Sequence, residues 1–124
     1  MKNKTAVPNV KHPVPIVRPR VRLTDTLAIG PGKIDLLRQV AETQSISGAA
    51  RALGMTYKRA WFLIDSLNQG LGGPVVETAT GGKGGGGALL TDLGRQLVEC
   101  YLALETCLNA AGRKEINALR RLTK

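Results

Sequence analysis

The stretch from Ile46 to Leu67 constrains the fold more than any other part of the chain. It reads as a short helix over Ile46 to Leu53 capped by Ser45, a break at Gly54, and a further helix capped by Thr56 and running to about Asn68. Two helices joined by so tight a turn must cross steeply and still touch. The earlier helix then needs small residues where the later one crosses it, and Ala49 and Ala50 stand there. The turn needs a residue that tolerates positive φ, which Gly54 supplies. Leu53, Met55, Ala60 and Leu63 anchor the turn, and Ala60, Leu63, Ile64 and Leu67 form the inward face of the later helix. The pattern predicts a helix-turn-helix.

The 124 residues suffice for one domain around that motif. Residues 21–27 alternate apolar and polar, the period of a half-buried strand. Pro31 opens a helix that turns Ile34, Leu37, Val40 and Ala41 inward. Past the helix-turn-helix, Gly70, Gly72, Gly73 and Pro74 close the later helix, and strands over 75–78 and 88–91 enclose a glycine-rich tip. Thr91 or Asp92 then caps a long helix. It carries Leu93, Leu97, Cys100, Leu104, Cys107 and Ala111 at alternating spacings of four and three, flanked by Tyr101 and Leu108. Such a stripe resembles a coiled-coil seam and predicts a homodimer interface. Gly112 breaks the helix, and a basic end with some helical character follows. The expected fold is mainly α with a small β hairpin: a winged helix-turn-helix with a long C-terminal dimerisation helix. Its parts are a flexible basic arm (1–20), the DNA-binding domain (21–91), the dimerisation helix (92–112) and the basic end (113–124).

Charge narrows the partners. Lys and Arg number 18 against 9 Asp and Glu, a net charge of +9, which suits a polyanion. Aromatic residues make up only 3%, too few for a protein that stacks single-stranded bases on exposed rings. The arm carries Lys2, Lys4, Lys11, Arg18 and Arg20 without an acid, between Pro8, Pro13, Pro15 and Pro19. It reads as a mobile segment that touches DNA phosphates or merely aids solubility. No apolar run approaches the roughly 20 residues of a membrane span. The N-terminus lacks the apolar core of a signal peptide, so a cytoplasmic location and no membrane partner are expected. Cys100 and Cys107, seven apart on one helix, stand about 10 Å apart. A disulfide needs less than about 7 Å, so they are expected as free thiols packed on one helical face. The single histidine, His12, lies in the arm. Neither a zinc site nor a nucleophile–base pair can be assembled, so no metal, cofactor or enzymatic activity is expected.

The first turn of the later helix, Thr56-Tyr57-Lys58-Arg59, stands where a recognition helix presents its N-terminus to the major groove of double-stranded DNA. Arg59 suits guanine O6 and N7, Lys58 a base or a phosphate, and Tyr57 a sugar or a phosphate. Ser45 and Ser47 begin the earlier helix and either bind a phosphate with its free N–H groups or simply cap it. Trp61 and Phe62 are assigned to the core or to helix packing. The run Gly81 to Gly87 is not a nucleotide loop. Gly84 follows Lys83 where a Walker motif needs Ser or Thr, and Glu77 stands where it needs its first glycine. Gly82, Gly84 and Gly87 match G-x-G-x-x-G, but a strand follows them instead of a helix. As a wing tip the segment brings Thr80, Gly82, Lys83 and Gly84 to phosphates.

Tyr57-Lys58, Ala60-Trp61, Ile64-Asp65, Asn68, the run Thr80 to Ala88 and Leu90-Thr91 resemble the N-terminal domain of ModE-type, molybdate-responsive transcriptional regulators, related to the LysR-type winged helix. The likeness extends from about Pro31 to Leu104, and the TGGKGGGGA run is its most specific part. It implies a homodimer joined through the long helix, a palindromic operator, and DNA contact by the recognition helix and wing. Full-length members of that family add a C-terminal pair of molybdate-binding domains, which this sequence does not contain. No residue here is assigned to oxyanion sensing, and a stand-alone regulator with an unidentified effector is expected. Two other readings stay open: an architectural protein that coats DNA without sequence preference, and a protein-interaction module whose helix-turn-helix is structural.

Overall fold

The computed structural model describes residues 16–79 and 87–124. In chain order the elements are β1 (Val21–Arg22), β2 (Ala28–Ile29), α1 (Pro31–Thr43), α2 (Ile46–Ala52), α3 (Tyr57–Leu71), β3 (Val76–Ala79), β4 (Gly87–Leu90), α4 (Asp92–Ala111) and α5 (Arg113–Arg120). The expected winged helix-turn-helix is formed. Residues 1–15 of the arm, and Thr80, Gly82, Lys83 and Gly84 of the wing tip, lie outside the described residues.

Helix α1 is the hub, packed on α2, α3, α4 and β4. Having neighbours on several sides, it buries Leu36 as well as Ile34, Leu37 and Val40, and with them the polar Asp35 and Gln39. Ala41, expected on the inward face, is instead exposed in the last turn of the helix. The expected strand over 21–27 is a hairpin. Val21 pairs with Ile29 and Arg22 with Ala28. The Thr24 hydroxyl accepts from the N–H groups of Thr26 (3.2 Å) and Leu27 (3.0 Å), folding the chain back before the alternation can extend.

The turn of the helix-turn-helix is a Schellman closure. Met55 N–H donates to the Ala50 carbonyl (3.0 Å) and Gly54 N–H to that of Arg51 (3.2 Å). Gly54 lies at φ 69°, where a Cβ would be strained. Ala49, Ala50, Ala60, Leu63, Ile64 and Leu67 are buried as their spacing requires. Helix α3 runs through Gly70 and ends at the left-handed Gly72. The Asn68 side chain accepts from Val75 N–H (2.8 Å) and sets the path into the wing.

In the wing, Val76 opposes Leu90 and Thr78 opposes Ala88, so Val76, Ala88 and Leu90 close over the core. Ala88 N–H donates to the Gln44 carbonyl (2.9 Å), fixing the hairpin to the turn between α1 and α2. Thr91, not Asp92, caps α4: its hydroxyl accepts from Gly94 N–H (3.0 Å) and donates to the Pro74 carbonyl (2.7 Å). Asp92 forms an ion pair with Arg95. At Gly94 the backbone of α4 rests on that of Val75, and a Cβ would collide with the Val75 carbonyl oxygen.

Helix α4 has an inward face that the seam pattern does not pick out. Tyr101 is 4% exposed and donates its hydroxyl to the Pro19 carbonyl (2.7 Å). It is therefore committed to its own chain, which corrects its assignment to a dimer surface. One turn on, Glu105 and Asn109 continue that face. Asn109 pairs with the backbone of Val17 in both directions, at 2.8 and 2.9 Å. Arg18 bridges Glu105 (3.0 Å) and the buried Asp35 of α1 (2.7 Å). The side-chain bond to Asp35, aided by Glu105, holds the Arg18 guanidinium firmly charged against the opposing effect of burial. Residues 16–19 are thus docked across α4 and α1, and Arg18, read from the sequence as part of a flexible arm, is a structural tie. Among the described residues no helix is long and apolar enough to cross a membrane.

Candidate nucleic-acid interface

Helix α3 buries Ala60, Leu63, Ile64 and Leu67. With 3.6 residues per turn, Lys58, Phe62, Asp65 and Gln69 must then point the opposite way, with Tyr57 and Trp61 on one flank and Arg59 and Ser66 on the other. Tyr57, Lys58 and Arg59 are all exposed. Thr56 caps the helix by accepting from Arg59 N–H (3.0 Å), so its hydroxyl oxygen is engaged in starting the helix.

The aromatic residues divide between two roles. Trp61 packs partly on the core and meets Tyr57 edge to face, with ring centroids 6.4 Å apart. That fits the packing role read from the sequence and stiffens the exposed Tyr57. Phe62 is not a core residue: it is 62% exposed, with the Arg59 guanidinium 5.5 Å from its ring centre. The buried positions of α3 place it between Lys58 and Asp65, so their spacing contained this signal. An exposed aromatic ring with a cation over it on the outward face makes Phe62 a candidate site residue, which the assignment to packing did not anticipate.

Ser45 caps α2, accepting from Gly48 N–H (2.8 Å), and Ser47 beside it is exposed. Both border a cleft of about 230 Å³ shared with Tyr57, Trp61 and the base of the wing at Thr78 and Gly87. The recognition turn, the start of α2 and the wing therefore meet on one surface. Thr80, Gly82, Lys83 and Gly84, assigned to the wing tip from the sequence, lie outside the described residues.

The opposite flank of α3 borders another cleft, of about 340 Å³, lined by Arg20, Lys33 and Arg59 with Gly30, Phe62 and Ser66 among the other residues. Lys33 donates to the Ala28 carbonyl (2.8 Å). Burial, then the charges of Arg20 and Arg59, pulls its ammonium below the ordinary lysine range. Arg20 was read from the sequence as one of the arm cations that touch DNA phosphates or aid solubility, whereas Lys33 was not singled out.

The stripe on α4 is divided. Leu93 and Leu97 pack partly on the chain's own core. Further along, Cys100 and Cys107 are exposed free thiols, with Leu104 and Leu108 half-buried beside them. The cysteines are free thiols as expected, and they are exposed in the single chain because the core-facing side of α4 is the one carrying Tyr101, Glu105 and Asn109. Among the described residues no group of three or more His, Cys, Asp or Glu side chains is placed to hold a metal ion.

Comparisons agree with this geometry. The family described as bacterial regulatory helix-turn-helix protein, lysR family, matches residues 32–95, just over half of the chain. The molybdenum-pterin-binding protein MopB of Rhodobacter capsulatus is 46% identical over 77 residues, 62% of this chain and 28% of MopB. The DNA-binding transcriptional dual regulator ModE of Escherichia coli is 44% identical over 81 residues, 65% of this chain and 31% of that protein. The chain thus spans under a third of the length of these relatives. A solved structure titled as a CbnR_DBD–DNA complex shares the fold, with a TM-score of 0.53 at 21% identity, covering 74% of this chain and 97% of that one.

Proposed function

The chain belongs to the bacterial regulatory helix-turn-helix proteins of the lysR family, and on that premise we propose that it is a sequence-specific, double-stranded DNA-binding transcriptional regulator acting as a homodimer in the cytoplasm. The observation that carries this reading is the outward face of α3, where Tyr57, Lys58 and Arg59 stand exposed beside the start of α2 and the base of the wing. A helix entering the major groove presents just such a first turn, and neighbouring elements reach the backbone. Lys58 meets a base or a phosphate and Tyr57 a sugar or a phosphate, Thr56 starts the helix that delivers them, and Ser45 and Ser47 face a phosphate at the start of α2. Thr80, Gly82, Lys83 and Gly84 are assigned to wing phosphates from the sequence alone. The names of the relatives support a role in molybdenum-related regulation, although no residue of this chain is assigned to bind molybdate.

The open part of the α4 stripe supports the dimer. Cys100, Leu104, Cys107 and Leu108 align in a stripe of α4 beside the side that Tyr101, Glu105 and Asn109 already occupy. Leu93 and Leu97 extend that line and are shared with the core, whereas Tyr101 is excluded from it. Pairing of two copies there sets two recognition helices about 34 Å apart, one turn of DNA, or a multiple of that distance.

Selection of sites from a random duplex pool, with and without molybdate, tests the whole reading. An enriched palindrome is the expected result, and a change in its recovery with molybdate would place the sensor in this chain. Bound DNA without a shared motif favours an architectural role, and failure to recover DNA overturns the proposal.

A further inference from the structure

We propose that the cleft between the N-terminus of α1 and the outer flank of α3 is a binding site for a DNA backbone phosphate, with Arg20, Lys33 and Arg59 as its cationic walls. This assignment rests on the DNA-binding reading and adds to it a contact on the side of α3 away from the wing.

Three cations meet in this cleft, and no carboxylate is among its lining residues. Each cation is placed by the fold. The aliphatic part of Arg20 lies near Gly30, whose Cβ position is 3.7 Å from Arg20 Cγ. Lys33 is tethered to the Ala28 carbonyl by one of its donors. Arg59 is stacked on Phe62. Burial first lowers the proton affinity of Lys33, and repulsion from Arg20 and then Arg59 adds to it. An anion in the cleft relieves that repulsion. Helix α1, 13 residues long, has Gly30 at its N-cap with no side chain accepting from the first turn, so its positive end adds to the same field.

Geometry selects DNA as the source of the anion. The major groove is about 12 Å wide, close to the diameter of a helix with its side chains. A recognition helix in it is therefore walled by a phosphate strand on each side. Tyr57 and Trp61 on one flank of α3 face the wing-side cleft, and Arg59 and Ser66 on the other face the cationic cleft, about half a helical turn away. With α2 and the wing beside one strand, the cleft of Arg20 and Lys33 is beside the other. Arg59 then holds a phosphate in place of a guanine edge.

Fluorescence anisotropy of the full chain on an operator-like and an unrelated duplex, from about 50 to 200 mM salt, tests this assignment. Arg20→Ala and Lys33→Ala are each expected to weaken binding to both duplexes alike, by roughly five- to tenfold, and to make the log–log salt slope shallower by about 0.9 per half-site. Lys33→Arg is expected to retain most of the wild-type behaviour. Arg20→Ala guards against a folding artefact, because among the described residues the Arg20 side chain makes no hydrogen bond, and thermal melting is compared for every variant. Wild-type affinity and slope in both alanine variants, with Lys58→Ala still weakened, overturn the cleft while leaving the DNA reading intact. A loss confined to the operator-like duplex also overturns it, since phosphates carry no sequence. Absence of salt-dependent binding by the wild-type chain overturns both.

Discussion

Arg18 and Arg59 are the same residue type put to opposite uses. Arg18 is sunk between Asp35 and Glu105, its charge satisfied by acids from α1 and α4. Arg59 lies on the surface of α3 over an aromatic ring, in a cleft with other cations. The difference extends to their surroundings. The junction of residues 16–19 with α4 is held by ion pairs and hydrogen bonds. The helix-turn-helix is held by apolar packing and well-formed caps, which leaves its polar surface available. Charge in the first region maintains shape, and charge in the second awaits a partner.

This contrast predicts which substitutions change stability and which change binding. The largest effect is expected at Arg18. Arg18→Ala leaves Asp35 and Glu105 without their cation and should cost about 3–5 kcal/mol in denaturant unfolding. Adding Asp35→Asn should recover part of the loss, and an unchanged midpoint in Arg18→Ala would dissolve the distinction. Next is Gly94→Ala, which forces α4 away from Val75 and should cost about 1–3 kcal/mol. DNA affinity per folded molecule should hold in the Arg18 variant.

Tyr101→Phe should cost about 1 kcal/mol near neutral pH by removing the bond to Pro19. Burial, then the Glu105 charge, pushes the phenol up from its ordinary range. The fold therefore favours the protonated hydroxyl. That contribution is complete below the unfolded value near 10 and disappears as pH rises through the folded one. Wild-type stability should accordingly fall more steeply than that of Tyr101→Phe in alkaline solution, as urea midpoints taken across that range can show. The smallest change in stability is expected for Lys58→Ala, within about 0.5 kcal/mol at an exposed position, with a clear loss of DNA affinity. Equal shifts in stability and affinity there would place Lys58 with Arg18 instead of Arg59.

Local signals carried much of this protein. The caps Ser45 and Thr56, the small pair Ala49-Ala50, the positive-φ turn at Gly54 and the inward period of α3 all depend on residues within a few positions of one another. Backbone hydrogen bonding and steric limits act over that range, so sequence order alone determined the helix-turn-helix and its exposed first turn. Phe62 was legible in the same period, but its place a turn past Thr56 to Arg59 was read as packing.

Tertiary structure decided what depends on distant partners. Helix α4 is apolar on more than one side, and its periodicity cannot say which side meets its own chain. Val17, Pro19 and Val75 settled that, leaving Tyr101 inside and Cys100 and Cys107 outside. Arg18 likewise had no acid near it in sequence, and found two across the fold at positions 35 and 105. Arg20, Lys33 and Arg59 became one cleft only when the β1–β2 hairpin and α1 were laid against α3. Coulomb and contact forces act across space, so neighbours far apart in the chain enter the account only once it has folded.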